Sequence, residues 1–157
     1  MQPKPVLPFR WSNPDGVAGE EWLSLVNAYK EKAKDALSVA ELVAEVKSLA
    51  DDPTGVVFVC LDRERRLSGY LCAKIQAVTK TVLVTQWFKL NTDIDNARLA
   101  TDALFGLVRD FAKEQDCDRI LMETRAVCSD GRVPRKLLMA LDKIGFKPKY
   151  VGCEMVI

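Results

Sequence analysis

The apolar residues of this chain change their spacing repeatedly along its length, and those changes limit the folds open to it. From residue 17 to residue 51 they recur every third or fourth position, the period of a helix face. Trp22, Val26, Tyr29 and Ala33 form one stripe, which predicts a helix over residues 17–34. Val39, Leu42, Val43, Val46 and Leu49 form a second. Ser38, with Glu41 three residues on, is a capping box at its start. Asp51-Asp52-Pro53 ends that helix, because the residue before a proline is pushed out of the helical region. The helical period then disappears. Val56-Val57-Phe58-Val59-Cys60-Leu61 is a β-branched run, and the spacing predicts further strands over 67–78 and 81–90, an antiparallel meander.

The helical period returns over residues 97–115, where Ala100, Leu104, Leu107, Val108 and Phe111 share a face. A strand follows over 119–126. It is expected to lie parallel to the strand before it, since a helical crossover separates the two. Pro134 suits the first position of a fourth helix lined by Leu137, Leu138, Leu141 and Ile144, and Gly145 suits a left-handed cap at its end. A last strand falls within 147–157. At the start, Pro3, Pro5 and Pro8 make residues 1–9 an extended arm leading into a short edge strand at Phe9-Arg10-Trp11. Asn13-Pro14-Asp15-Gly16 is a turn in which Asp15 is placed to cap the first helix. The order is β-α-α-β-β-β-α-β-α-β. It implies an α/β (α+β) fold with a mixed, mostly antiparallel sheet and one domain over residues 10–157.

Composition removes several function classes. The 157 residues carry 23 basic and 22 acidic side chains, a net charge of +1, so no global charge favours nucleic acid. No apolar run is long enough to span a bilayer, and Met1-Gln2-Pro3-Lys4-Pro5 does not read as an export signal, so a cytoplasmic protein is expected. There is no histidine, which excludes Ser-His-Asp and Cys-His chemistry. The five cysteines, Cys60, Cys72, Cys117, Cys128 and Cys153, form no C-x-x-C pair and read as reduced thiols rather than metal ligands. Arg125, Arg132, Arg135, Lys136, Lys143, Lys147 and Lys149 make the C-terminal third basic. A solvated face is the first reading; an acidic partner, a nucleic acid or a cofactor phosphate is the alternative.

The order of elements resembles that of the GNAT superfamily of acyl-CoA N-acyltransferases. So do three segments: Leu67-Ser68-Gly69-Tyr70 at a hairpin, residues 111–124 running from the third helix into the fifth strand, and Leu141-Asp142-Lys143-Ile144-Gly145-Phe146 closing the fourth helix. The resemblance covers residues 5–157 and implies a site for acetyl-CoA at the start of the third helix. In that family an Arg/Gln-x-x-Gly-x-Gly/Ala loop lets backbone N–H groups meet the pyrophosphate. By the same count the loop here is Asn96, Ala97, Arg98, Leu99, Ala100 and Thr101, with no glycine. Leu99 and Thr101 bring β-carbons to the close-approach positions, and Asp93, Asp95 and Asp102 flank the segment.

The family's tyrosine acid corresponds to Leu141, and the asparagine near the start of that helix to Arg135. The third strand of the meander has no carboxylate, only Gln86, which leaves Glu123 as the candidate base. On these departures the chain is expected to be a GNAT-fold protein with a degenerate acetyl-CoA site. It would bind acetyl-CoA weakly or not at all and act as a non-catalytic binding or assembly module. The alternative is a divergent N-acetyltransferase using acetyl-CoA. A protein partner or self-association is expected through the N-terminal arm, where Val6, Leu7 and Phe9 supply apolar contacts. Leu104, Val108, Phe111, Leu138 and Leu141 are expected to be buried, and Trp87 and Phe88 to face opposite sides of the sheet.

Overall fold

A computed structural model describes residues 8–62, 64–90, 94–122 and 135–146. The first apolar stripe does not form one helix. A 3-10 turn, Asp15–Ala18, is followed by extended Gly19, and α1 spans Glu20–Ala33. Asn13 Oδ1 accepts the Gly16 N–H at 3.2 Å, so the turn forms as expected. Asp15 does not cap: α1 starts on Gly19 without a side-chain cap, and the Asp15 carboxylate instead lies 3.7 Å from Lys47. The second helix, α2 (Val39–Asp51), has the expected capping box, with Ser38 and Glu41 bonded both ways.

Strand β1 (Phe9–Arg10) is short, and β2 (Gly55–Leu61), β3 (Leu67–Gln76) and β4 (Thr81–Lys89) form the meander. Strand β3 ends two residues earlier than its sequence suggests, because Val78 sits fully exposed at the tip of the turn. Helix α3 spans Ile94–Glu114, β5 Arg119–Met122 and α4 Arg135–Ile144. Gly145 caps α4 with φ of 107°, in the left-handed region that only glycine enters freely. The sheet order is β1-β2-β3-β4-β5, antiparallel except for the parallel β4–β5 pair. This is the mixed, mostly antiparallel α/β architecture expected. Residues 1–7 of the arm, the strand within 147–157, Pro134, Glu123 and the basic residues Arg125, Arg132, Lys147 and Lys149 lie outside the described residues. Among the described residues, no helix is long and apolar enough to cross a membrane.

Both sheet faces are covered, which explains why the strands read as continuous apolar runs rather than alternating ones. Val57, Val59, Tyr70 and Cys72 pack against Trp22, Val26, Tyr29, Leu42 and Val46 of α1 and α2. The intervening residues, Val56, Phe58, Leu71, Ala73, Val82 and Val84, pack against Leu104, Phe105, Val108 and Phe111 of α3. A chain of edge-on rings crosses the first layer, from Trp11 to Trp22 (5.6 Å), Trp22 to Tyr70 (5.3 Å), Tyr70 to Tyr29 (6.0 Å) and Tyr29 to Phe88 (6.4 Å). Leu104, Val108 and Phe111 are buried as expected, but Leu141 is only half-buried, near the exposed end of α4. The side chain of Leu138 lies outside the described residues.

Candidate active site

The chemistry gathers on the second half of β4. Its pairing with β3 runs Ala73↔Val84 and then Cys72↔Gln86, so Thr85 is an extra residue with no opposite number. Such a bulge bends the strand and takes one residue out of the ladder. It also exchanges the faces. Val82 and Val84 pack toward α3, and an unbroken strand would send Gln86 the same way. Instead Trp87 joins the α3 layer, while Gln86 and Phe88 turn toward α1 and α2. Trp87 and Phe88 therefore face opposite sides, as their spacing suggests. The described β4–β5 rungs run from Thr81↔Arg119 to Val84↔Met122, which puts the bulge immediately past the last of them.

Gln86 is 1% exposed and fully bonded. Its Oε1 accepts the Tyr70 hydroxyl at 2.7 Å, and its Nε2 donates to the Leu42 carbonyl at 3.1 Å and to Glu45 Oε1 at 2.9 Å. These partners fix the amide's orientation, since a flipped amide would set its oxygen against a carbonyl and a carboxylate. Burial above all, and then the neighbouring Cys72, Tyr29, Asp35 and Glu45, raises the Tyr70 phenol well above its ordinary value. Tyr70 is thus held protonated as a donor to Gln86.

Glu45 is half-exposed on α2, one turn after Leu42. A second carboxylate, Asp35, is buried in the link between α1 and α2. It accepts from the Tyr29 hydroxyl at 2.7 Å and the Leu37 N–H at 2.9 Å. Lys30 Nζ ties the same link through the Asp35 and Leu37 carbonyls. On the α3 face, Trp87 stands edge-on to Phe105 at 5.2 Å, and its buried Nε1–H has no partner among the described residues.

The segment singled out as the cofactor loop lies within a helix. Helix α3 begins at Ile94, three residues before the expected Ala97, because the polar run ahead of Ala97 contains no glycine or proline to keep it out. The amides of Asn96 and Ala97 therefore belong to the first turn. Leu99, Ala100 and Thr101 fall in the second, where amides bond within the helix. Arg98 is exposed, Leu99 is 55% exposed, and Ala100 and Thr101 are buried.

What the sequence missed is Glu45. It sits one residue before Val46 on the edge of the α2 stripe, where it reads as an ordinary solvated carboxylate. Only the fold brings it to Gln86, 41 residues away.

No protein-family model matches the sequence, and no curated protein matches it by sequence. Solved structures match it in fold. An aminoglycoside antibiotic 6′-N-acetyltransferase from Acinetobacter baumannii superposes with a TM-score of 0.68 at 14% identity, over 97% of this chain and 99% of that one. A ribosomal-protein-alanine N-acetyltransferase from Brucella melitensis gives 0.65 at 13% identity, with 97% and 99% covered. An acetyltransferase from Trypanosoma brucei gives 0.64 at 14%, again with 97% and 99% covered.

Proposed function

We propose that this chain, which has the GNAT fold, acts as an N-acetyltransferase that moves an acyl group from acyl-CoA to an amine. The observation that carries this reading is the Glu45–Gln86 contact. It brings to β4, one residue past the bulge, the carboxylate that β4 itself lacks. Acetyl-CoA, when bound, supplies an acetyl group activated as a thioester.

The residues near α3 fit such a donor. The first turn of α3 opens at the C-terminal end of β4, and its amides have no intrahelical acceptors. The β-carbons of Leu99 and Thr101 sit a turn further along, and Leu99 is turned to solvent. Glu45 accepts the proton that an attacking ammonium or amine must shed, directly or through one water. Gln86 holds Glu45 by its Nε2–H and is itself held by Tyr70, so the carboxylate has a fixed position. The bulge at Thr85 bends β4 and turns Gln86 toward Glu45.

A second reading keeps one observation in its favour. The absence of glycine from Asn96, Ala97, Arg98, Leu99, Ala100 and Thr101 suits a binding or assembly module that no longer uses acetyl-CoA. One experiment separates the two: incubation with acetyl-CoA and a panel of amines, following thiol release, for the native chain and Glu45→Gln. The acyltransferase reading expects turnover, and a fall in kcat of roughly a hundredfold or more in the variant. Absence of thiol release with every amine, together with a dissociation constant for acetyl-CoA weaker than about 1 mM, would overturn it in favour of the module.

A further inference from the structure

On the α1–α2 face, a run of bonded and stacked side chains leads from Gln86 to the link between the two helices. Lys34, left-handed with φ of 55°, ends α1 and folds the chain back, so that Asp35 meets the Tyr29 hydroxyl at 2.7 Å. The other Asp35 oxygen accepts the Leu37 N–H at 2.9 Å, at the approach to α2. Tyr29 is thereby held at both ends. Asp35 fixes its hydroxyl, and its ring lies edge-on to Tyr70 at 6.0 Å and to Phe88 at 6.4 Å. Those two residues stand opposite one another on β3 and β4, two rungs from the Cys72↔Gln86 pair and on the same face.

Asp35 is 3% exposed, and a carboxylate buried that far is costly unless its oxygens are bonded. The link does not need it for closure, since Lys30 Nζ already ties the Asp35 and Leu37 carbonyls. What the carboxylate adds is direction. An apolar ring on this face is free to tilt, whereas a hydroxyl bonded to a carboxylate sets the ring's outer end. The ring covers the Tyr70↔Phe88 pair. Tyr70 in turn donates to Gln86 Oε1 at 2.7 Å, and Gln86 Nε2 holds Glu45 at 2.9 Å. The electrostatics record the same proximity: after burial and Cys72, it is Tyr29, Asp35 and Glu45 that oppose ionisation of Tyr70.

We infer that Asp35, acting through Tyr29, is a positioning residue for the Glu45–Gln86 pair. Asp35 sets the Tyr29 ring, the ring sets Tyr70, and Tyr70 fixes which way the Gln86 amide points. The catalytic meaning of this arrangement rests on the acyltransferase reading; the positioning itself does not.

The test is proton exchange of the Gln86 side-chain amide, followed by NMR in the full chain. The native protein is compared with Tyr29→Phe, Asp35→Asn, the double variant and Phe111→Leu. Tyr29→Phe keeps the ring and removes its anchor, and Asp35→Asn leaves one acceptor oxygen for two donors. Phe111→Leu loosens the α3 layer on the opposite face of the sheet and so reports a merely structural loss. Circular dichroism establishes that each variant is folded. Exchange should quicken roughly tenfold in Tyr29→Phe and in Asp35→Asn, and no further in the double variant. In Phe111→Leu it should stay within about twofold of native. The inference is overturned by exchange within about twofold of native in Tyr29→Phe or Asp35→Asn, or by equal quickening in Phe111→Leu. Additive effects in the double variant would overturn it too. With acetyl-CoA and an amine that turns over, Tyr29→Phe should lower kcat roughly fivefold or more while KM stays within about twofold. Quickened exchange in a chain that transfers no acetyl group would defeat the proposed activity and leave Asp35 as the residue that positions Gln86.

Discussion

Gln86→Leu tests whether the buried amide organises this face of the sheet. The new side chain is close in volume but cannot bond. Tyr70, fully buried, would lose the Gln86 oxygen that its hydroxyl donates to at 2.7 Å, and an unsatisfied buried hydroxyl costs about 1–3 kcal/mol. The Leu42 carbonyl keeps the helical bond available to it four residues on, and Glu45 is exposed enough to take water, so neither adds much. A net loss of about 2 kcal/mol corresponds to a fall in Tm of roughly 4–8 °C for a chain of this size. Urea denaturation at constant m-value is the assay. Adding Tyr70→Phe should recover more than half of the loss, because removing both partners leaves nothing unsatisfied. The reasoning fails if Gln86→Leu lies within about 0.5 kcal/mol of the native chain, the scale of an ordinary surface change, or if the two substitutions simply add. Gln86→Glu gives an independent check by pH. It would set two carboxyls side by side, raising the folded pKa of one above its unfolded value. The variant should then be most stable at low pH and lose stability as pH rises from about 4.3 through that folded value.

Other expectations follow from local geometry. A β-carbon at Gly55 would lie 2.6 Å from the Leu49 carbonyl oxygen and 2.9 Å from its Cα, so Gly55→Ala should cost about 2 kcal/mol or more in denaturation. Gly106→Ala, inside α3 with nothing within 4 Å, should instead stabilise by about 0.4–1 kcal/mol. Ser38→Ala should lose about 1 kcal/mol of stability. It should also return the Glu41 carboxyl, held low mainly by its hydrogen bonds with Ser38, toward its ordinary value in an NMR titration. In the native chain the Glu41 contribution is present above the unfolded carboxylate pKa and is lost as pH falls through the depressed folded value. Leu141→Ala, at a half-buried position, should cost less than about 2 kcal/mol, short of a core truncation.

The order of elements was legible because each layer repeats its own spacing. The α2 stripe and its capping box, the meander, and Gly145 closing α4 all follow from nearest-neighbour chemistry. The pattern misleads where a single residue decides. Gly19 splits the first helix, although one glycine in a helical stripe is often tolerated. The start of α3 at Ile94 carries no local mark, because a polar run without breakers reads equally as a loop or as a first turn. The candidate site was less legible for a different reason. The bulge at Thr85 leaves no mark in the alternation of a strand buried on both faces, so nothing local said that Gln86 faces α2. Glu45 is recognised only through that change of face.

The aromatic chain in the first layer has an optical consequence. Trp11 and Trp22 lie on the α1–α2 side of the sheet, and Trp87 lies with Phe105 on the α3 side. Light absorbed by indole is therefore emitted from two separate compartments of the molecule. With Trp11 and Trp22 replaced by phenylalanine, fluorescence would report the docking of α3 alone. With Trp87 replaced, it would report the docking of the first two helices. The order in which the two layers close on the sheet could then be timed in one refolding experiment, with no extrinsic dye and no added label.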